Sequence, residues 1–287
     1  MRNVKRIVTV QDISCVGKCS LTVALPIISA MGTETAVIPT AVLSNHTAFS
    51  DFTFTDLTDN ITPIADRLQS EGITFDAIYT GYLGSFRQID IVEDFIRRFR
   101  SDGVKVIIDP VMADNGKLYA GFDSNFVARM ARLCAQADII LPNYTEACFM
   151  LGLPCDSTVC TEQIAHSILP QLLSLGTKSA IITGVTRSDG AYGAVGYDGA
   201  GDKLFSAFGE HVNKSFHGTG DVFASTLVGA LMRDIPIDNA LEIAVDFTVK
   251  CIKATVADPN SRWYGVNFES VLPQLTDTIE SGAQSSE

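Results

Sequence analysis

Positive charge is scarce in this sequence: 21 Lys and Arg stand against 33 Asp and Glu, for a formal net charge of -12. Proteins that hold a polyphosphate backbone cluster their Lys and Arg along a stripe. No such stripe is present, so nucleic acid is set aside as a partner. Long apolar runs are missing too. No stretch reaches the ~18 residues of a membrane span, and the short apolar start is interrupted by Asp12, which does not suit a signal peptide. The expectation is a cytoplasmic protein with no membrane partner. Cysteine is present seven times but never as a Cys-x-x-Cys pair. An odd number among apolar neighbours reads as reduced, packing thiols, and Cys15 and Cys19 lack the nearby His that a metal pair would want. Repeats, low-complexity segments and interdomain linkers are absent as well.

What remains is a chain of 287 residues, 46% hydrophobic, enough for a substantial core. The simplest reading is one α/β domain over residues 1–280 and a disordered polar tail at 281–287. Short β-branched runs at 6–10, 35–39, 76–80, 105–108, 137–141 and 179–183 read as strands. Helical patterns at 20–31, 61–71, 89–100 and 161–175 fall among them, with Pro170 expected to bend or split the last. That alternation predicts a mainly parallel sheet with helices on both faces. Residues 191–197 and 204–208 read as an edge hairpin, 237–255 and 268–280 as closing helices. Residues 43–55 are polar and aromatic without helical period, which suits either a flap or a hairpin whose Phe49, Phe52 and Phe54 pack inward.

The densest chemistry lies at Phe216-His217-Gly218-Thr219-Gly220-Asp221, where a glycine-spaced turn enters an apolar helix. Amides at a helix start are unpaired and carry partial positive charge, so Gly218, Thr219 and Gly220 suit an anion. On spacing alone Asp221 is more often a helix cap than a catalyst. His217 reads as local structure, since no nucleophile pairs with it. Gly17-Lys18-Cys19-Ser20 is not a Walker A loop: Asp12 stands where its first glycine belongs, and Cys follows the Lys. Strand ends carry Asp109-Pro110-Val111-Met112, Pro142-Asn143-Tyr144-Thr145-Glu146 and Thr183-Gly184, in the place where open α/β sheets bind ligands. Asp109 alone reads as a turn residue as readily as a ligand, and Glu146 as a first-turn helix acid.

Taken together, Gly218 to Asp221, the Pro-Asn-x-x-Glu stretch, Asp-Pro-Val-Met, Ser44-Asn45-His46-Thr47 and Gly81-Tyr82-Leu83-Gly84-Ser85 resemble the ribokinase-like superfamily and, within it, the pyridoxal kinases. The resemblance implies a three-layer sandwich with a small lid. It also implies transfer of the ATP γ-phosphoryl group to the 5'-hydroxymethyl of a B6 vitamer. In that family pattern Asp221 takes the hydroxyl proton, Gly218, Thr219 and Gly220 form the anion hole, and Thr47 and Tyr82 line the ring site. Asn143, Glu146, Thr183 and Gly184 sit at the ATP, with Asp109 and Glu146 organising Mg²⁺. A homodimer is implied, and a monovalent cation requirement stays open. One position departs from the pattern. Those kinases read Gln-Ser-His after the first strand, and this chain reads Gln11-Asp12-Ile13, so Asp12 is a candidate acceptor for a cationic vitamer group or a loop cap. Two alternatives stand beside this reading. A hydroxymethylpyrimidine kinase has the same fold, but many carry Cys where Asp221 stands. A non-catalytic pyridoxal phosphate or nucleotide binder would not need Asp109, Glu146 and Asp221 together.

Overall fold

The computed structural model describes residues 4–155, 159–214 and 216–284. Its first strand, β1 (Arg6–Val16), shows why the architecture is layered. Ile7 packs into one apolar cluster, whereas Val8 and Val10 pack into another. A strand that is apolar on both faces needs a sheet covered on both sides.

Along the chain follow α1 (Leu21–Ala30), β2 (Glu34–Asn45), β3 (Phe54–Asp56), α2 (Thr58–Ser70), β4 (Ala77–Thr80), α3 (Phe86–Phe99) and β5 (Lys105–Ile108). A two-stranded ribbon, β6 (Ala113–Asp114) with β7 (Lys117–Leu118), precedes α4 (Ser124–Cys134), β8 (Ile139–Ile140) and α5 (Tyr144–Leu151). Then come β9 (Cys160–Thr161), α6 (Glu162–Leu173), β10 (Ser179–Thr186), β11 (Tyr192–Asp198) and β12 (Lys203–Gly209). Three helices close the chain: α7 (Thr219–Met232), α8 (Ile237–Ala257) and α9 (Leu272–Gln284).

The strands form one large sheet in the order β12-β11-β10-β8-β5-β4-β1-β2-β3, with β9 beside β10. Its middle, from β10 to β2, is parallel, while β3, β11 and β12 are antiparallel additions at the edges. The expected α/β fold with a mostly parallel sheet is therefore present. One face is covered through Ile61, Phe95, Met130 and Leu172, the other through Ile28, Leu227, Leu241 and Leu275. Complete burial of Leu227 stabilises the fold by about 1.5–3 kcal/mol. Helices α1 and α7 approach closely because Gly229 has no side chain; a Cβ there would run into Met31. No described helix is long and apolar enough to cross a membrane.

Several expectations need correction. The polar break at Gln11 and Asp12 does not end the first strand, because β1 keeps pairing with β2 as far as Val16 and Asn45, through a register shift between Gln11 and Ile13. Pro170 does not split α6, which runs through it; the proline is exposed, so water can reach the carbonyl its ring leaves unpaired. A further helix, α4, stands where no element is expected: Phe126, Val127, Met130, Leu133 and Cys134 form its buried stripe behind an Asp123 cap. Residues 281–284 of the expected tail are the last turn of α9, and 285–287 lie outside the described residues. Segment 43–55 is a hairpin of β2 and β3, but its aromatics do not all point inward. Phe52 and Phe54 are exposed, and only Phe49 packs, against Trp263 and Tyr264.

Candidate active site at the carboxyl ends of the strands

Parallel strands end on a common edge, and that edge collects most of the candidate residues. Gly218 caps α7 in the left-handed region, at φ 77°, and a Cβ there would run into the Lys18 carbonyl oxygen. Only glycine fits that turn. A Cβ at Gly220, by contrast, would meet nothing within 4 Å, so the first turn is open to a ligand. Thr219 is tied down by its hydroxyl, which donates to the Phe216 carbonyl at 3.2 Å. The carboxylate of Asp221 lies in this first turn, half-buried. Burial pushes it up to about 7; the Ser20 amide offsets part of the rise and Asp12 adds to it. A carboxylate near 7 is a usable proton acceptor at neutral pH.

Asp12, at the register shift of β1, is 6% exposed, and Ser20 Oγ donates to its Oδ1 at 2.7 Å. Burial raises its carboxyl, against the hydroxyls of Ser20 and Ser14. Tyr82 follows β4; its phenol is raised by burial and then by the charge of Asp12, and its ring stacks on Phe122 at 5.9 Å. Thr47 is exposed beyond the end of β2, and no hydrogen bond or ring contact ties it to Tyr82 or Asp12. Its neighbour His46 is anchored instead. The Ala48 amide donates to His46 Nδ1 at 3.1 Å, so Nε2 carries the proton and donates to the Tyr264 carbonyl at 3.0 Å. His46 also lies 5.0 Å from the His217 ring, and His217 is held below its ordinary range by burial and by His46. His217 itself is exposed.

At the other end of the edge, Asn143 pairs with Thr183 as an isolated parallel bridge, which brings Asn143, Thr183 and Gly184 side by side. Gly184 is left-handed at φ 76°, and the Tyr192 hydroxyl covers it. Asn143 and Glu146 form a capping box on α5: Asn143 Oδ1 accepts from the Glu146 amide at 2.9 Å, and Glu146 Oε2 accepts from the Asn143 amide at 2.8 Å. Glu146 Oε1 accepts from the amides of Met112 at 3.0 Å and Ala113 at 3.4 Å. The acid is 2% exposed and, despite these donors, burial raises it to about 8. Asp109 is raised well above its usual range, by burial first and then by Glu146 and Asp221.

The metal expectation is tested by this donor set. Backbone amides take both acceptor sites of Glu146 Oε1 and one of Oε2, so little of this carboxylate is left for an ion. Asp109 accepts no hydrogen bond from a described residue, and like charges surround it. Among the described residues no three His, Cys, Asp or Glu side chains converge as a metal cage. One carboxylate plus substrate phosphates is a usual set for Mg²⁺, so Asp109 fits such an ion. Cys15 and Cys19 are free thiols; Cys19 lies near Asp221 and Asp12 and is pushed up to about 12 by burial, which leaves it protonated.

Sequence reasoning passed over Ser20, Tyr79 and Trp263. Tyr79 is fully buried, and its hydroxyl, near Gln11 and Ser225, makes no hydrogen bond of normal geometry; burial and then the charges of Asp109 and Asp221 raise the phenol. Ser225 stands four residues after Asp221 on the same helix face, a signal that spacing does carry. Trp263 has none, because its contacts with His46 and Phe49 cross more than two hundred residues. A surface hollow lined by Asp90, Glu93, Arg97 and Arg100 lies at the far end of α3, beside the residues that precede β8, away from the edge just described.

Comparison with known proteins agrees with the architecture. The family model for phosphomethylpyrimidine kinase matches residues 25–263. A Bacteroides thetaiotaomicron protein provisionally named a phosphomethylpyrimidine kinase, crystallised with pyridoxal, is 39% identical; the match covers 95% of this chain and 96% of that one with a TM-score of 0.88. The pyridoxal kinase of Lactobacillus plantarum is 29% identical over 97% of this chain and 99% of its own, also with a TM-score of 0.88. A Schizosaccharomyces pombe protein provisionally named a pyridoxal kinase is 29% identical over 211 residues, which make up 70% of this chain but 60% of that protein. The chain belongs to the pyridoxal kinase and phosphomethylpyrimidine kinase family of the ribokinase-like superfamily.

Proposed function

We propose that this chain transfers the γ-phosphoryl group of ATP to the 5'-hydroxymethyl of pyridoxal, pyridoxamine or pyridoxine, with Asp221 as general base. One observation carries the reading: a half-buried carboxylate held near 7, in the first turn of a helix whose preceding turn only glycine can form. Asp221 accepts the hydroxyl proton as the oxygen attacks the γ-phosphorus, whose bond to the bridging oxygen breaks to release ADP. The amides of Gly218, Thr219 and Gly220 are set by the α7 start to meet the charge of the moving group without reorganising. Asp12 and Tyr82 form the vitamer end, with Thr47 at its rim. Asn143, Thr183, Gly184 and Asp109 form the nucleotide end, and Glu146 holds its backbone in place. Mg²⁺, when bound with ATP, would neutralise the β and γ oxygens, and Asp109 is the residue that would hold it.

The kinase and solved relatives above support the substrate class, and Asp221 favours a vitamer over hydroxymethylpyrimidine. A cytoplasmic homodimer goes with the same reading. An ATP-consumption assay over the three vitamers and hydroxymethylpyrimidine tests it. Turnover with at least one vitamer is expected. Consumption only with hydroxymethylpyrimidine, or none at all with nucleotide still bound, would replace the reading by one of the two alternatives.

A further inference from the structure

Ser20 stands out on three independent grounds. It is one of four non-glycine residues with positive φ among the described residues, at φ 50° and ψ -133°, a region that glycine occupies freely and serine does not. It is 8% exposed, and its hydroxyl donates at 2.7 Å to Asp12, itself 6% exposed. Its backbone serves both neighbours: the carbonyl accepts from Val23 and Ala24 at 3.0 and 2.9 Å to start α1, and the amide faces Asp221. A strained residue persists where its surroundings over-determine it. Here those surroundings are two acids from β1 and α7.

Asp12 has no cation of its own. Among the described residues it forms no ion pair with Lys, Arg or His, and the two basic side chains nearest in sequence are engaged elsewhere: Arg6 by Glu34 at 2.8 Å, and Lys18 by Asn267 at 3.1 Å and Glu269 at 2.8 Å. Its side-chain donors are hydroxyls, Ser20 and Ser14, the latter 1% exposed and without a hydrogen-bond partner of normal geometry, and the other ionisable groups near it are Cys19, Tyr82 and the acid Asp221, none of them a cation. A buried carboxylate with only neutral donors keeps an oxygen for an incoming cationic group.

We infer that Ser20 is a positioning residue for the vitamer site: its hydroxyl occupies Oδ1 of Asp12 and thereby turns Oδ2 toward the positively charged ring nitrogen or aminomethyl group of the vitamer. The backbone strain at Ser20 is the cost of bringing that hydroxyl under Asp12 while its amide stays beside Asp221. This inference rests on the vitamer-kinase reading.

The test uses the full chain with Ser20→Gly, Ser20→Ala, Asp12→Ala and the two double variants. Glycine relieves the strain and removes the hydroxyl; alanine removes the hydroxyl and keeps the strain. Both single Ser20 variants should lose about tenfold in kcat/KM for pyridoxamine, the scale of a hydrogen bond to a charged group, with the KM for ATP unchanged. Ser20→Gly should melt above Ser20→Ala. In the Asp12→Ala background neither Ser20 substitution should lower kcat/KM further. Wild-type kinetics in Ser20→Gly, or losses that simply add to that of Asp12→Ala, would reduce Ser20 to a helix-start residue and overturn the inference. If wild type phosphorylates no vitamer, the functional reading fails by itself. The link between Ser20 and Asp12 is then judged from the thermal cycle of Ser20→Ala and Asp12→Ala, where non-additive melting shifts support it and additive ones refute it.

Discussion

Glu146→Ala is expected to act on the fold before it acts on the nucleotide. The carboxylate is almost wholly buried and accepts from three backbone amides, those of Met112, Ala113 and Asn143. Truncation leaves these donors unpaired in a place water does not reach, at about 1–3 kcal/mol each where no relaxation helps. The contact to Ala113 is long at 3.4 Å and contributes least. The bond from the Asn143 amide is also the Glu146 half of the α5 capping box, so its loss frays the helix start. Two good hydrogen bonds, one of them the Glu146 half of the capping box, together come to roughly 2–6 kcal/mol, a large fraction of the ~5–15 kcal/mol that stabilises a typical domain. At ~2–4 °C per kcal/mol for chains of 150–250 residues, the melting midpoint should drop by roughly 4 °C or more. Thermal unfolding of wild type, Glu146→Ala and Glu146→Gln measures this directly. Glu146→Gln keeps the shape and one acceptor oxygen and should fall between the other two. A Glu146→Ala midpoint within about 2 °C of wild type would mean that the amides find other partners, and the structural role argued for Glu146 would be wrong.

Other perturbations separate the remaining roles. Asp109→Ala should leave the melting midpoint near that of wild type but raise the Mg²⁺ needed for half-maximal rate; an unchanged titration would make Asp109 structural. Asp12→Ser should lower kcat/KM for pyridoxamine by about 1–2 kcal/mol more than for pyridoxal, from the loss of a charged hydrogen bond, and an unchanged substrate ratio would remove Asp12 from vitamer selection. Stability should also depend on pH with a definite sign. The Asp221 carboxyl titrates near 7 in the fold but near ~4 when unfolded, so between those values the native state holds a proton the unfolded chain has released. Its contribution to stability therefore falls as pH rises through that window. Melting midpoints from pH 4.5 to 8 should decline less in Asp221→Asn than in wild type, and parallel curves would contradict the assignment.

Local pattern carried a good part of this account, and the limits follow from its being local. Strand β5 was legible to the residue because Val106-Ile107-Ile108 is apolar on both faces and Asp109-Pro110 ends it. The α5 start was legible twice over, since Asn143-x-x-Glu146 is both a capping signature and a strand-end acid, and the geometry makes the capping part explicit. The extension of β1 through Asp12 was not legible: its polar residues look like a break, and only pairing with β2 shows otherwise. Ser20 was hidden because a backbone dihedral imposed by tertiary contacts leaves no compositional mark. The anchoring of His46 by Tyr264 was hidden by a separation of 218 residues.

The central claim is that Asp221 accepts the proton of a B6 vitamer hydroxyl, and the initial rate of phosphoryl transfer from ATP to pyridoxal by purified, folded Asp221→Asn tests it most directly. With nucleotide binding intact, a fall in kcat of roughly 10² to 10⁴ is expected for a lost general base; turnover close to that of wild type would contradict the claim.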